Sequence, residues 1–272
     1  MSDKTPIEWT DATWNPIRAK GDLGRWYCQK ISPGCDHCYA SRLNKRFGGK
    51  AYAPVELGAL TAARQAVADG DIYLDEKTLA QPVHWKRPRR VFVCSMTDLF
   101  GEWVSDDWLL NVWLSMAVAG QHTFQVLTKR PSRMKHFLDR IQNLPGGHQT
   151  FADSFWPLPN VWLGVSVESD AYTWRAKALA EIPAAVRFVS AEPLLGPLPG
   201  LDLSSISWLI AGSESGPGAR ACELNWVRLL RDKSQAAGTA FFWKQAAVNG
   251  HKISTPELDG RRWMEYPEVA NA

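Results

Sequence analysis

Cys28, Cys35 and Cys38 lie within eleven residues, in the run Cys-Gln-Lys-Ile-Ser-Pro-Gly-Cys-Asp-His-Cys. The chain has only five cysteines, so the cluster calls for a cause. Thiolates bind soft metals and iron–sulfur centres, and their number separates the two. A closed structural zinc site takes four protein ligands. Three thiolates can hold three irons of a 4Fe-4S cluster and leave the fourth iron open to a ligand. Three readings stand: such a cluster, a zinc site of Cys28, Cys35, Cys38 and His37, or cysteines that only pack. His37 lies between two of the thiols in sequence, which hinders it from sharing one metal with both. Ser32-Pro33-Gly34 predicts a turn before Cys35. Residues 36–47 read as a helix, with Cys35 and Cys38 on one face of its start and Cys28 arriving from the preceding loop. Unpaired amides at a helix start favour an anionic thiolate cluster.

Something must hold these thiols in place. A chain of 272 residues makes one large α/β domain or two small ones. Its 45% hydrophobic and 22% charged content is ordinary for a globular protein. The net charge of +3 does not by itself imply nucleic acid. Fourteen tryptophans are the outlier. Trp108, Trp113, Trp162, Trp208 and Trp226 fall at strand or helix positions, where packing explains them. The first residues lack the apolar stretch of a signal peptide, and no apolar run reaches membrane length. The expectation is a cytoplasmic protein with no membrane contact, whose reduced thiols bind a metal or cluster rather than pair as disulfides.

Short apolar runs read as strands: 91–95, 123–127, 161–165, 186–190, 208–211 and 240–243. Helical patterns lie between several of them, at 106–119, 131–142, 170–182 and 225–237. The first carries apolar residues at 109, 110, 113, 114 and 117, with Asp106 as its expected cap and Gly120 as its stop. Nearly all-apolar strands alternating with helices imply a parallel sheet buried on both faces. The expected fold is one domain over 1–272, a partial or full β/α (TIM-like) barrel. Residues 1–50 would carry the cysteine loop and first helix, 51–90 an irregular or helical insert, 91–245 the repeated β/α units and 246–272 an extension. An open doubly wound sheet is the rival, but no Gly-x-Gly-x-x-Gly follows an early strand.

Polar residues gather just beyond each strand. They are Ser95-Met96-Thr97-Asp98, Thr128-Lys129-Arg130, Ser166-Val167-Glu168, Ser190-Ala191-Glu192-Pro193, Gly212-Ser213-Glu214-Ser215-Gly216 and Lys244-Gln245. In a β/α barrel that end carries the active site. Cys94 reads as packing inside its strand, and Cys222 follows the glycine-rich loop with a lesser claim on the site. Basic residues at 86–90, 45–46, 129–130 and 261–262 could follow the phosphates of a nucleic acid, or could form a solvated surface.

Together these runs resemble a known family. His37 before the last cysteine resembles the Cys-x-aromatic-Cys ending of radical S-adenosylmethionine (SAM) enzymes, although six residues separate the first two cysteines here, against three in the usual pattern. More closely, the chain is similar to a bacterial and phage family of uncharacterised three-Cys-motif proteins grouped with the radical SAM barrels. The likeness runs through Ile7-Glu8-Trp9-Thr10-Asp11, Trp14-Asn15-Pro16, Ser32-Pro33-Gly34-Cys35 and Cys38-Tyr39-Ala40. It continues through residues 91–100, 127–131, 162–168, 190–194, 212–220 and 242–245. Residues 18–27 form a longer link to the first cysteine than the family pattern, either a lid over the cluster or a bulge into solvent.

The resemblance implies a 4Fe-4S cluster on Cys28, Cys35 and Cys38, with SAM chelating the open iron. Reductive cleavage of SAM would yield a radical that takes hydrogen from a substrate, fed by a reductase or a ferredoxin- or flavodoxin-type electron donor. Ser95, Thr97 and Asp98 would then receive the SAM amino group, and Lys129 or Arg130 its carboxylate. Glu168 or Glu192 would hold the ribose hydroxyls, with Ser166 beside them. Ser213 and Glu214, in the glycine-rich loop, would meet the adenine or the substrate. Nucleic acid or a nucleotide is the expected substrate class. The alternatives are a non-enzymatic, metal- or cluster-containing nucleic-acid-binding module and an accessory protein of a phage or mobile element.

Overall fold

The computed structural model describes residues 5–56, 58–142, 157–214, 216, 218–248 and 251–268. The chain begins with strands β1 (Ala12–Trp14), β2 (Ile17–Ala19) and β3 (Gln29–Lys30), then helix α1 (Tyr39–Arg46). The insert follows as β4 (Ala53–Pro54), α2 (Ala59–Ala68), β5 (Ile72–Leu74), α3 (Glu76–Leu79) and α4 (Gln81–His84). The β/α units are β6 (Arg90–Val93), α5 (Asp106–Val118), β7 (Thr123–Thr128), α6 (Pro131–Gln142), β8 (Val161–Ser166), α7 (Trp174–Ala180), β9 (Val186–Ala191), β10 (Trp208–Gly212), α8 (Leu224–Ala237) and β11 (Ala240–Val248). Strands β12 (His251–Ser254), β13 (Glu257–Leu258) and β14 (Arg261–Arg262) close the described chain.

Eight strands form one sheet in the order β1-β6-β7-β8-β9-β10-β11-β12. All neighbours are parallel except the antiparallel pair β11–β12. The sheet curls into a half-barrel. Its edges, β1 and β12, do not pair with each other, so the partial form of the expected barrel is the one present. All six expected strands occur. The first strand, β1, carries no strand-length apolar run and was not expected. No helix among the described residues is long and apolar enough to cross a membrane.

Alternation along the strands gives the sheet two faces. On one, Val91, Val93, Phe124, Val126, Leu163, Val165, Val189 and Leu209 join the main core with buried positions of the helices, such as Leu109, Val112, Trp113 and Met116 of α5. On the other, Phe92, Trp162, Phe188, Trp208, Ile210 and Phe242 form an aromatic floor with Trp9. Gly164 makes room there, because a Cβ on it would stand 2.4 Å from the Phe188 ring. The C-terminal extension packs on the same floor. The Tyr266 ring lies 5.2 Å from that of Trp208, whose indole donates to Glu265 O at 2.9 Å. Further along this face the residues become polar, with Ser166 and Ser190 at the tops of β8 and β9. The sequence thus builds a greasy base and a polar mouth by period two alone.

Three local expectations need correction. The helix after the cysteines starts at Tyr39 rather than Asp36. Pro33–Cys35 is a separate 3-10 turn, and Cys38 takes ψ 125°, which breaks the helical path. Cys35 and Cys38 therefore do not share a helix face. Ser105 rather than Asp106 caps α5, accepting from Trp108 N at 3.2 Å; Asp106 instead holds Arg133 and Arg140. The pattern over 170–182 divides into a 3-10 turn (Asp170–Tyr172) and α7.

Candidate functional site

A cavity of about 710 Å³ opens at the C-terminal ends of the parallel strands. Cys28, Cys35 and Cys38 line it, together with Ser95, Thr97, Asp98, Lys129, Arg130, Ser166, Glu192, Ser213 and Glu214. Glu168 is the expected site residue that is not among the lining. Ser215 and Pro217 of the glycine-rich motif lie outside the described residues. The three thiols reach the cavity from different local structures. Cys28 precedes β3, Cys35 ends the 3-10 turn, and Cys38 caps α1. Cys28 and Cys38 pack against Trp26, Ala40, Tyr52 and Met96. Burial pushes the Cys28 thiol up to about 12, and the nearby Asp98 carboxylate adds to that. Among the described residues, no three His, Cys, Asp or Glu side chains stand within reach of one metal ion. His37 does not join the thiols: its Nδ1 lies 2.8 Å from Glu214 Oε2.

The cysteine loop is clamped to the sheet. Arg220 grips Glu214 through Nη2 to Oε1 at 2.6 Å and through Nε to Oε2 at 3.0 Å. The same guanidinium donates to Pro33 O at 2.9 Å. Burial raises the Glu214 carboxyl, but hydrogen bonds from Arg220 and His37 outweigh it and hold the group below the usual carboxylate range. Gly34 allows the loop to approach the sheet, since its Cβ would lie 3.1 Å from Glu168 Cδ. Segment 18–27 is tied down as well. Asn44 of α1 is fully buried; its Oδ1 accepts from the Arg25 and Trp26 amides at 3.0 and 3.1 Å, and its Nδ2 donates to Leu23 O at 2.8 Å. Arg18, Arg25 and Trp26 line the cavity, so this segment forms part of the cavity wall rather than a bulge.

The expected ligand-binding residues divide by whether their hydrogen bonds are already spent. Asp98 accepts from Thr128 Oγ1 at 2.6 Å, Phe100 N at 3.0 Å, Lys129 N at 3.1 Å and Arg130 Nη1 at 3.0 Å. Arg130 also stacks over Trp103 at 5.1 Å. The Asp98–Arg130 pair is thus a brace joining the ends of β6 and β7. Glu168 is fully buried, 2.9 Å from Arg175 Nη1, with Lys129 helping to keep it ionised. It supports the wall rather than facing the cavity. Ser95 and Met96 are pinned from three sides. Asn15 Oδ1 accepts from Met96 N at 2.9 Å, while the Tyr39 and Tyr52 hydroxyls donate to Ser95 O and Met96 O at 2.7 Å each. Thr97 donates its hydroxyl to Tyr27 O.

The more available groups are Lys129, Ser166, Ser190 and the pair Lys244–Glu192, whose Nζ and Oε1 are 2.8 Å apart. Gly212 lets that pair sit against the backbone, because a Cβ there would be 2.5 Å from Glu192 Oε1. Sequence reading placed Ser190 and Lys244 among the polar strand ends but gave neither a ligand role, although strand parity sets both on the inner face with Phe188 and Phe242. It also missed the structural roles of Asn15, Tyr39, Tyr52 and Asn44, for which the sequence carries no local signal. Cys94 is buried, as expected, but at φ 56°. Cys222 is partly buried against the main core and is not among the cavity's lining residues; burial pushes its thiol up to about 11.

Residues 4–267 match the family described as protein of unknown function (DUF5131), and the chain belongs to that family. No curated protein and no solved structure matches the chain.

Proposed function

We propose that the cavity holds a 4Fe-4S cluster on Cys28, Cys35 and Cys38 with SAM beside it, and that the protein is a radical SAM enzyme acting on a nucleic acid or nucleotide. The observation that supports this reading is the presence of Cys28, Cys35 and Cys38 together in the lining of one cavity at the C-terminal ends of parallel strands. The donor chemistry is of the kind such a cluster takes. It comprises three thiols, and the one neighbouring imidazole is engaged by Glu214. With SAM on its open iron, such a cluster supplies one-electron cleavage of a carbon–sulfur bond and hence hydrogen-atom abstraction.

The chain's own residues position and exclude. Lys129 is the cation best placed to meet a carboxylate, since Arg130 is committed to Asp98. Glu192 and Ser190 offer acceptors for hydroxyls. The Glu214–Arg220 clamp and the Asn44 anchor hold the cysteine loop and segment 18–27 in place as cavity wall, which limits water. An external one-electron donor, of the ferredoxin, flavodoxin or reductase kind, completes the proposal.

Anaerobic reconstitution with iron and sulfide tests it. The expected result is a brown protein with about four irons per chain that releases 5′-deoxyadenosine from SAM under reduction. A colourless, zinc-loaded chain would support a non-enzymatic binding module. Iron retained after Cys35→Ala and Cys38→Ala would refute the ligand assignment.

A further inference from the structure

The net positive charge of the chain is concentrated in one segment. Residues 18–50 contain eight Lys and Arg against two acids, Asp22 and Asp36, a charge of +6 in a chain whose total is +3. The rest of the protein is therefore acidic on balance. The segment forms one wall of the cavity, and Arg18, Arg25 and Phe47 are among its lining residues. On α1, Arg42, Lys45 and Arg46 stand at i, i+3 and i+4, which places them on one face, and all three are exposed.

The arginines of segment 18–27 are held by rings rather than by acids. Arg18 lies 4.8 Å over Trp26, and Arg25 lies 4.5 Å over Phe47, which is 46% exposed. The two rings meet edge to face at 6.2 Å. Neither arginine makes an ion pair with a carboxylate among the described residues. Asp75 feels the charge of Arg18, but it is engaged in capping α3 through Thr78 N at 2.6 Å. A guanidinium stacked on a ring is fixed in orientation while its N–H edge stays available, a geometry that suits bidentate contact with phosphate. Elsewhere Arg90 pairs with Asp11, Arg130 with Asp98 and Arg261 with Glu265, and exposed Lys86 and Arg87 are not among the cavity's lining residues.

We infer that residues 18–50 form a phosphodiester-binding rim, on which a single-stranded nucleic acid lies with one nucleotide entering the cavity. A recessed cavity excludes a base that is still stacked in a duplex, so an unpaired or extruded nucleotide is the form that can enter. Half-exposed Phe47 beside stacked arginines offers the mixed aromatic and cationic surface that single strands use. This inference names the substrate of the proposed radical reaction, but it concerns binding alone and can be tested without iron, SAM or turnover.

The experiment is a fluorescence-anisotropy titration of the full-length protein with a fluorescein-labelled oligothymidylate of about 16 nucleotides, from about 50 to about 200 mM salt. Two doubly substituted variants carry equal charge loss: Lys45→Gln with Arg46→Gln on the rim, and exposed Lys86→Gln with Arg87→Gln away from it. Circular dichroism checks that both fold. Each phosphate contact contributes about 0.7 to the salt slope on single strands. The rim variant should therefore lower the slope by about 1.4 and weaken binding about 25-fold near 0.1 M salt, with the other variant unchanged. Adding Arg25→Gln should weaken binding further. Equal losses in both variants, no saturable binding, or tighter binding of anionic vesicles or an acidic peptide than of the oligonucleotide would overturn the inference. Oligonucleotide binding by a protein that never assembles a cluster would uphold the rim while refuting the radical reading.

Discussion

Replacing Glu168 separates a structural strut from a ligand-binding group. The sequence gives this residue a place among the ribose-binding candidates, but it is fully buried against Arg175, itself 2% exposed. Its carboxylate receives Arg175 Nη1 at 2.9 Å, and the same nitrogen donates to Ser166 O at 2.9 Å. Arg175 also lies 4.3 Å over the Tyr172 ring. Glu168→Ala leaves a buried guanidinium with one carbonyl and the Tyr172 and Trp174 rings for company. Removing one partner of such a pair costs about 3–5 kcal/mol, a large share of the roughly 5–15 kcal/mol that holds a domain together. For a protein of this size, with a urea m-value near the upper end of about 1–3 kcal/mol/M, the midpoint should fall by about 1–2 M. Glu168→Gln should cost less, because an amide oxygen still accepts from Arg175. In the double variant Glu168→Gln with Arg175→Met no orphaned charge is left, so it should be more stable than the sum of the two single losses implies. Equilibrium urea unfolding followed by far-ultraviolet circular dichroism reads all five proteins: wild type, Glu168→Ala, Glu168→Gln, Arg175→Met and the double variant. A Glu168→Ala midpoint within about 0.3 M of wild type, or strictly additive losses, would refute the strut. A Glu168→Gln protein of wild-type stability with weakened SAM binding would restore Glu168 to the ligand set.

Gly164→Ala places a methyl 2.4 Å from the buried Phe188 ring, and overpacking of this kind costs about 1–3 kcal/mol; a thermal midpoint lowered by about 2–10 °C is expected, and an unchanged midpoint would mean that the aromatic floor yields. Glu214 is held below the usual carboxylate range in the folded protein. The stability it confers is therefore present above the unfolded carboxylate value and is lost as pH falls through the folded one. The urea-midpoint gap between wild type and Glu214→Gln should thus shrink between about pH 5 and about pH 3, and a gap independent of pH would refute the Glu214–Arg220 clamp as a charge-dependent device.

How far the sequence could be read follows from the range of each interaction. The six main strands and α5, α6 and α8 were legible because apolar periodicity is written over many consecutive residues. The cavity lining was largely legible too, since parallel strands bring their C-terminal ends to one side whatever the loops do. Strand β1 was not: its three residues Ala12–Trp14 are too few for a pattern, and it exists because β6 offers an edge. The helix start at Tyr39 was hidden because Cys38 takes an extended ψ that nothing in its neighbours dictates. Asn44 is the clearest case of what sequence reading loses. In sequence it is a polar residue on a basic helix, yet its amide ties that helix to segment 18–27 over a separation of 21 residues.

The same limit explains why residue type alone overstates the ligand set. A carboxylate beyond a strand end has the same chemistry on paper whether or not its lone pairs are free. Asp98 accepts from four donors at 2.6–3.1 Å, so a further ammonium would have to displace Arg130 or one of two backbone amides, at the cost of a buried unpaired donor. Glu192 differs. Its Oε1 lies 2.8 Å from Lys244, on the neighbouring strand but one over the small Gly212, and its Oε2 accepts from Ser190 Oγ at 3.2 Å, so both partners are side chains. A ligand hydroxyl can enter either contact without stripping the backbone. Saturation rather than residue type therefore ranks the mouth: Asp98, Glu168 and Thr97 hold its shape, and Lys129, Ser166, Ser190, Glu192 and Lys244 are the groups a ligand can recruit.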